Sequence, residues 1–172
     1  MGVSLDEAFG AWTLEYSVVV HAPRAEVWAL VADPTRIGEF SPECVHSEWL
    51  DGATEAAVGA RFAGTNRLGD EEWTRTCTVT ECEPGARFGY VVGDRFDGTP
   101  ASGWVFELSD SDEGTALTQR FHHLPAGLTG VRLAADRHPE RAADYIAARG
   151  AVLQEGMRTT LESMKKVLEA PR

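Results

Sequence analysis

The chain has 172 residues, of which 43% are hydrophobic and 25% are charged, values that suit one globular unit with a sizeable core. Its 16 basic and 27 acidic side chains give a formal net charge of −11 at pH 7. Because an acidic surface repels phosphate backbones and anionic headgroups, this composition argues against nucleic acid as a partner and against membrane binding through basic charge. We expect a single domain over residues 1–172, with residues 1–10 flexible.

The cysteines and the apolar runs indicate the compartment. Cys44, Cys77 and Cys82 are odd in number and show no repeated close pair, which is not the pattern of a disulfide framework. Cys77 and Cys82 lie five apart in one predicted strand, so we expect them on opposite faces. No run resembles a signal peptide or is long enough to cross a bilayer. These features predict a cytoplasmic protein without integral membrane association, either a monomer or a homodimer.

The first predicted elements are a strand and two short helices. Residues 12–20 carry apolar side chains at every second position, from Trp12 to Val20, which is typical of a half-buried strand. A helix is predicted to begin at Pro23 and to end at Asp33-Pro34. Asp33 is suited to cap a second short helix over residues 34–40, which carries Phe40 inward.

From residue 44 to residue 123 the period of the apolar residues is close to two. The pattern predicts six strands, near 44–50, 59–67, 72–82, 86–92, 102–109 and 114–122. Gly, Asp and Pro residues fill the short breaks between them, so we expect sequential strands to pair as an antiparallel meander.

The last part of the chain has a helical pattern. A short helix is predicted over residues 128–137 and a long one from Pro139 to about residue 169. The long helix has an apolar stripe spaced by three or four residues, and at roughly 1.5 Å per residue it would extend about 45 Å, enough to cross a whole sheet. The stripe comprises Ile146, Gly150, Leu153, Met157, Leu161, Met164 and Leu168.

This order of elements, with segments 18–34, 40–43, 58–67, 73 and 77–85, resembles the START-like, or Bet v 1-like (SRPBCC), superfamily. The closest branch is the bacterial polyketide cyclase/dehydrase group. The resemblance covers nearly the whole chain and implies an α+β helix-grip fold, in which a curved antiparallel sheet of about seven strands wraps around the long C-terminal helix. It also implies an internal cavity for a small apolar molecule. These motifs are specific for the fold and say little about activity.

Strand parity predicts which side chains face that cavity. Phe62 turns Asn66 inward on its strand, and Trp73 does the same for Arg75 on the next. The predicted ligand-binding residues are Phe40, Phe62, Asn66, Trp73, Arg75, Tyr90, Trp104, Phe106, Gln119, Phe121, Leu153 and Met157.

Arg75 has three interpretations, because a guanidinium is almost never buried without a partner. It anchors a ligand oxygen, or it pairs with a carboxylate such as Glu43 or Glu81, or a different register leaves it in solvent. Asn66 and Gln119 either orient a ligand or hydrogen-bond to each other or to buried water.

The remaining chemistry is sparse. The resemblance implies that Glu39 and Glu43 lie at the cavity rim. Each is either a candidate general base, if burial raises its pKa, or a solvated surface carboxylate, and Tyr90 is a candidate for proton transfer. The candidate catalytic residues are therefore Arg75, Glu43 and Tyr90. No His or Cys spacing fits a metal site, and no motif points to a cofactor.

Three functions follow from this sequence. The favoured one is binding of a small hydrophobic or aromatic molecule, such as a lipid, a polyketide or an isoprenoid. The second is a polyketide aromatase/cyclase-like enzyme, with Arg75 stabilising an oxyanion. The third is a protein-interaction or chaperone-cofactor module, for which the acidic charge gives no special support.

Overall fold

The alternation of apolar and polar residues produces seven strands that pair into one antiparallel sheet. In this computed structural model, which describes residues 2–171, the sheet curls into a half-barrel, and the strand order is β1-β7-β6-β5-β4-β3-β2. The predicted α+β helix-grip fold is confirmed, and most observed strand bounds lie within two residues of the predicted ones. The strands are β1 (Thr13–Val20), β2 (Cys44–Trp49), β3 (Arg61–Leu68), β4 (Glu71–Glu83), β5 (Arg87–Gly93), β6 (Pro100–Ser111) and β7 (Gly114–His123).

Four helices accompany the sheet. They are α1 (Leu5–Gly10), α2 (Arg24–Val31), α3 (Gly130–Arg137) and α4 (Ala142–Leu168), with 3₁₀ turns at Pro34–Glu39 and Pro139–Arg141. Asp33 caps the first 3₁₀ turn, where its carboxylate accepts a hydrogen bond from the Thr35 backbone N–H at 3.1 Å. Among residues 2–171, no helix has the length and apolarity that a bilayer-spanning helix requires.

Helix α1 lies within residues 1–10, which were expected to be flexible and of which Met1 lies outside the described residues. Ser4 and Glu7 form a reciprocal capping box, which satisfies two backbone donors at the start of the helix. The helix buries Phe9 completely, and its ring lies 4.7 Å from the ring of His123 on β7. The expectation of flexibility therefore needs correction for Leu5–Gly10.

Helix α4 lies across the concave face of the sheet and is the long helix that the apolar stripe predicted. Met157, Leu161 and Met164 are buried on its inner side. Gly150 is buried as well, and a β-carbon there would lie 3.4 Å from the indole nitrogen of Trp12, so only a small residue lets the start of β1 approach the helix closely.

A β-bulge in β4 corrects one prediction about the cysteines. The register between β4 and β5 shifts between Val79 and Glu81, so that Cys82 pairs with Phe88 while Cys77 pairs with Val92. Because the extra residue resets the alternation, Cys77 and Cys82 face the same side of the sheet, not opposite sides. All three cysteines are free thiols.

Candidate functional site

A cavity of about 850 Å³ lies between the concave face of the sheet and α4. Its opening lies at the end of the sheet where the β3–β4 and β5–β6 hairpins turn, since the lining residues Leu68, Leu128 and Val152 are exposed there. The sequence-predicted residues that line it are Glu43, Phe62, Asn66, Trp73, Arg75, Tyr90, Trp104, Phe106, Gln119, Phe121, Leu153 and Met157.

Aromatic side chains form much of the cavity wall. The ring of Phe62 on β3 meets that of Tyr90 on β5 edge to face at 5.0 Å, and Trp104 on β6 lies 5.0 Å from Phe121 on β7. These rings come together because each strand turns every second side chain inward and the sheet curves. The result is a largely apolar cavity wall.

Phe40 is the exception among the predicted ligand-binding residues. Its side chain is buried in the hydrophobic core and is not part of the cavity wall. The Arg36 guanidinium covers the Phe40 ring at 5.7 Å from its centroid. Phe40 therefore points inward, but its side chain packs in the core beneath the 3₁₀ turn and does not face the cavity.

Arg75 lines the cavity in a half-buried position. Its Nη1 donates to the Thr74 backbone carbonyl at 2.8 Å, and among residues 2–171 it makes no ion pair. The two carboxylates considered as partners are engaged elsewhere: Glu43 pairs with Arg149, and Glu81 with Arg87. Burial, and then the nearby Arg95, lower the pKa of Arg75, and the carboxylate of Asp94 opposes them.

Tyr90 and two thiols form the inner lining between β2 and β5. Burial raises the pKa of Tyr90 well above its ordinary value, so its hydroxyl stays protonated and is available as a hydrogen-bond donor. Within the described chain, that hydroxyl has no hydrogen-bond partner. Burial also raises the pKa of Cys44 to about 11 and that of Cys77 to about 12, so neither thiol is a ready nucleophile at neutral pH.

Gln119 and Asn66 do not hydrogen-bond to each other. Gln119 on β7 is only 6% exposed, and its Oε1 is buried without a partner in the described structure. Asn66 on β3 lines the cavity and likewise makes no hydrogen bond to residues 2–171. An unsatisfied buried amide costs free energy. The interior therefore contains hydrogen-bonding groups that no residue of the described chain pairs with.

The two rim carboxylates have different surroundings. Glu39 is exposed, does not line the cavity, and pairs with Arg36, whose hydrogen bonds lower its pKa. These features argue against Glu39 as the general base. Glu43 lines the cavity, but both of its oxygens accept hydrogen bonds from Arg149, at 2.5 and 2.8 Å.

His123 is a cavity residue that the sequence did not single out. It is buried, and Nδ1 and Nε2 lie 2.7 Å from the Leu124 carbonyl and the Thr129 hydroxyl, respectively. The carbonyl only accepts, so Nδ1 carries the proton and Nε2 accepts from Thr129. Burial lowers the pKa of His123, and both nitrogens are occupied, which favours a structural role.

Within residues 2–171, no three His, Cys, Asp or Glu side chains cluster in a way that would hold a metal ion. The cavity wall instead includes polar groups that other residues do not fully occupy: Tyr90, Asn66 and Gln119, and the remaining donors of Arg75. Donors and amides of this kind are able to hydrogen-bond to oxygen atoms.

Comparison with protein families gives one match. Residues 11–169 match the family described as polyketide cyclase / dehydrase and lipid transport. A search of curated proteins finds no match to this sequence.

Comparison with solved structures gives two informative likenesses. A Polyketide_cyc-like protein from Corynebacterium glutamicum is 32% identical, with 91% of each chain covered and a TM-score of 0.65. The di-domain ARO/CYC StfQ from the steffimycin biosynthetic pathway has a TM-score of 0.70 at 14% identity, over 91% of this chain and 50% of StfQ. At that identity the likeness to StfQ is one of fold alone.

Proposed function

Since this chain belongs to the polyketide cyclase/dehydrase and lipid transport family, we propose that it binds one small hydrophobic or aromatic molecule in its internal cavity. The ligand is a lipid-, polyketide- or isoprenoid-like compound with an oxygen-bearing end. A volume of about 850 Å³ lies within the range of small-molecule sites, and the apolar wall with a few separate polar groups has their usual character.

The observation that carries the proposal is the guanidinium of Arg75, which forms no ion pair with a carboxylate within residues 2–171. A charge that leaves water needs an anion or several acceptors to offset its desolvation. Arg75 donates one hydrogen bond, to the Thr74 carbonyl, and the carboxylate of Asp94 acts on it only from beyond ion-pair distance. A ligand carboxylate, carbonyl or enolate oxygen would complete this coordination, and the apolar body of the ligand would then lie against Phe62, Tyr90 and Trp104.

Two probes with the same skeleton test this proposal. 1-Anilinonaphthalene-8-sulfonate is anionic, whereas N-phenyl-1-naphthylamine lacks the sulfonate and is neutral. In Arg75→Met, which removes the charge and keeps most of the stem, we expect sulfonate binding to weaken by about 1.5–3 kcal/mol, the range of charged hydrogen bonds. Binding of the neutral probe should change little. Affinities are measured by fluorescence titration.

Arg61→Met provides the matched control, because Arg61 is exposed at the start of β3 and pairs with Asp51 away from the cavity. It removes the same charge and should leave both affinities unchanged. If the affinity for the sulfonate probe weakens equally in both variants, the effect comes from the net charge of the protein and not from a contact with Arg75. An unchanged sulfonate affinity in Arg75→Met would remove Arg75 as the anchor, and a lack of saturable binding of either probe to wild type would overturn the binding function.

A second candidate, cyclase-like catalysis, is favoured by Tyr90. Its hydroxyl is a protonated donor without an internal partner, in the same cavity as Arg75. The proton on a carbon between two carbonyls would pass to water at the open end of the cavity, and Arg75 would stabilise the resulting enolate while its carbon attacks a second carbonyl of the same molecule. Tyr90 would donate its proton to the new alkoxide and recover one from water, and the hydroxyl would then leave as water together with a second α-proton.

Incubation with a short poly-β-ketone thioester, followed by mass spectrometry, tests this candidate. Catalysis predicts accumulation of a cyclised, dehydrated product above the protein-free rate, and a large loss of that rate in Tyr90→Phe with the affinity for the substrate retained. A rate equal to that without protein would leave binding as the function.

A further inference from the structure

Helix α4 makes more contacts and hydrogen bonds with one edge of the sheet than with the other. On the β1 edge the helix packs closely and is fixed by several hydrogen bonds, including Gln154 Nε2 to the Glu15 carbonyl at 2.9 Å and Tyr16 Oη to Glu162 at 3.0 Å. On the opposite side the cavity separates α4 from strands β2 to β5. Within the described chain, one pair of residues connects α4 to this side by hydrogen bonds or ion pairs: Arg149 and Glu43.

The geometry of this pair is that of a bidentate ion pair. Arg149 Nη1 and Nη2 donate to the two carboxylate oxygens of Glu43 at 2.8 and 2.5 Å. The side chains are only 23% and 18% exposed, and both line the cavity. Charge-assisted forks of this kind are directional and stronger than neutral hydrogen bonds, and partial burial protects them from screening by salt.

Hydrogen bonds fix the backbone of Glu43 in place. Its backbone N–H donates to Ser41 Oγ at 3.2 Å, and its carbonyl accepts from the Arg67 backbone N–H at 2.8 Å, which ties it to β3. Opening on this side therefore requires the contact between the two side chains to break, because the segment that carries Glu43 is already bonded to the sheet edge.

We infer that the Glu43–Arg149 pair is a strap across the opening of the cavity, between α4 and the β2 edge, and that release of this pair widens the opening for the ligand to enter and leave. The pair also occupies both terminal nitrogens of Arg149. Of the two arginines Arg75 and Arg149, which both line the cavity, only Arg75 is therefore left for an acidic ligand. The part of this inference that concerns ligand exchange rests on the proposed binding function.

The first test measures exchange of the neutral probe N-phenyl-1-naphthylamine by stopped-flow fluorescence. Glu43→Gln should raise the dissociation rate about tenfold, and because association becomes faster too, the equilibrium affinity should change less than the rates. The reversed pair, Glu43→Arg with Arg149→Glu, should bring the dissociation rate back toward wild type. The control is Glu39→Gln, which removes the same charge from the neighbouring 3₁₀ turn, outside the cavity.

A dissociation rate in Glu43→Gln within twofold of that in Glu39→Gln would overturn the strap. The second test needs no ligand. Hydrogen–deuterium exchange over residues 41–46 and 145–153 should be about tenfold faster in Glu43→Gln than in Glu39→Gln, while β6 and β7 stay equally protected. Equal exchange over both segments would overturn the strap even if no probe binds, whereas failure of probe binding with faster local exchange would count against the binding function alone.

Discussion

The two faces of the sheet differ in how completely their charged and polar side chains are paired. On the convex face, an ion-pair ladder crosses five neighbouring strands, and each charge in it contacts the opposite charge on the next strand: Glu15, Arg120, Glu107, Arg87 and Glu81. On the concave face, Arg75 forms no ion pair and Gln119 Oε1 has no donor within residues 2–171. The same strands supply both faces, so the difference lies in how completely the polar side chains of each face are paired, and the unpaired groups all lie on the side of the cavity.

The largest expected effect tests the concave core. Leu161 is fully buried on α4, so Leu161→Asp would place an unpaired carboxylate in an apolar interior and lower the free energy of unfolding by several kcal/mol. Thermal and urea unfolding measure the change. Val167→Asp on the exposed side of the same helix is the control and should cost far less. If both variants melt within a degree or two of wild type, the packing assigned to α4 is wrong.

A smaller effect of opposite sign is expected at Gln119. Gln119→Met keeps the unbranched shape and removes the unsatisfied amide, so the ligand-free protein should gain about 1 kcal/mol of unfolding free energy, the order of one unsatisfied polar group. Chemical unfolding of ligand-free protein provides the value. A loss of similar size would show that the amide has a partner, such as buried water, and would weaken the contrast between the two faces.

The pH dependence of stability should report on His123. Burial, and then Arg132 and His122, hold its folded pKa below the ordinary value of about 6.5, with the Leu124 carbonyl opposing them. The unfolded chain therefore binds this proton first, and stability is lost as the pH falls below about 6.5 toward the folded pKa. Urea unfolding between pH 7.5 and pH 5 should show this loss, and His123→Gln should reduce its slope with pH. His122→Gln is the control, since His122 is outside the cavity wall; an equal slope in both variants would contradict the role of His123.

The smallest expected effect lies on the ladder. Glu107 contacts both Arg87 and Arg120, and these side chains are partly exposed. Glu107→Gln should cost less than about 1 kcal/mol, since water screens such pairs, and the cost should shrink further between 20 mM and 500 mM NaCl. Chemical unfolding at the two salt concentrations checks this. A cost of several kcal/mol that salt does not reduce would mean that the ladder acts as a buried network.

Local patterns in the sequence predicted most of this fold. Period two placed Phe62, Arg75 and Tyr90 on the cavity side, because each strand between its breaks obeys simple alternation. The bulge after Val79 was not predicted, since it changes the register without a distinctive residue. Helix α1 had a local signal, Ser4 and Glu7, but six residues are too few for a helical period to stand out.

The missed site residues differ in the signal that could have found them. Arg149 and Glu43 are separated by 106 positions, and nothing in the sequence around either residue indicates that they pair. His123 follows Phe121 by two positions on the same strand, so the alternation that turns Phe121 inward also turns His123 inward. Period two was therefore a signal for His123, whereas the contact of Arg149 follows only from the fold.

The pairing of β1 with β7 has a consequence for synthesis of the protein. Ser17 and Thr118 are 101 positions apart, yet their hydroxyls lie 2.7 Å from each other across these strands. At a synthesis rate of roughly 5–20 residues per second, several seconds pass between the synthesis of β1 and that of β7, and α4 is made later still. The hairpins from β2 to β7 pair neighbours in sequence and are free to form first. Because contacts between distant parts of the chain form late, we expect the apolar side of β1 to stay exposed until this seam closes.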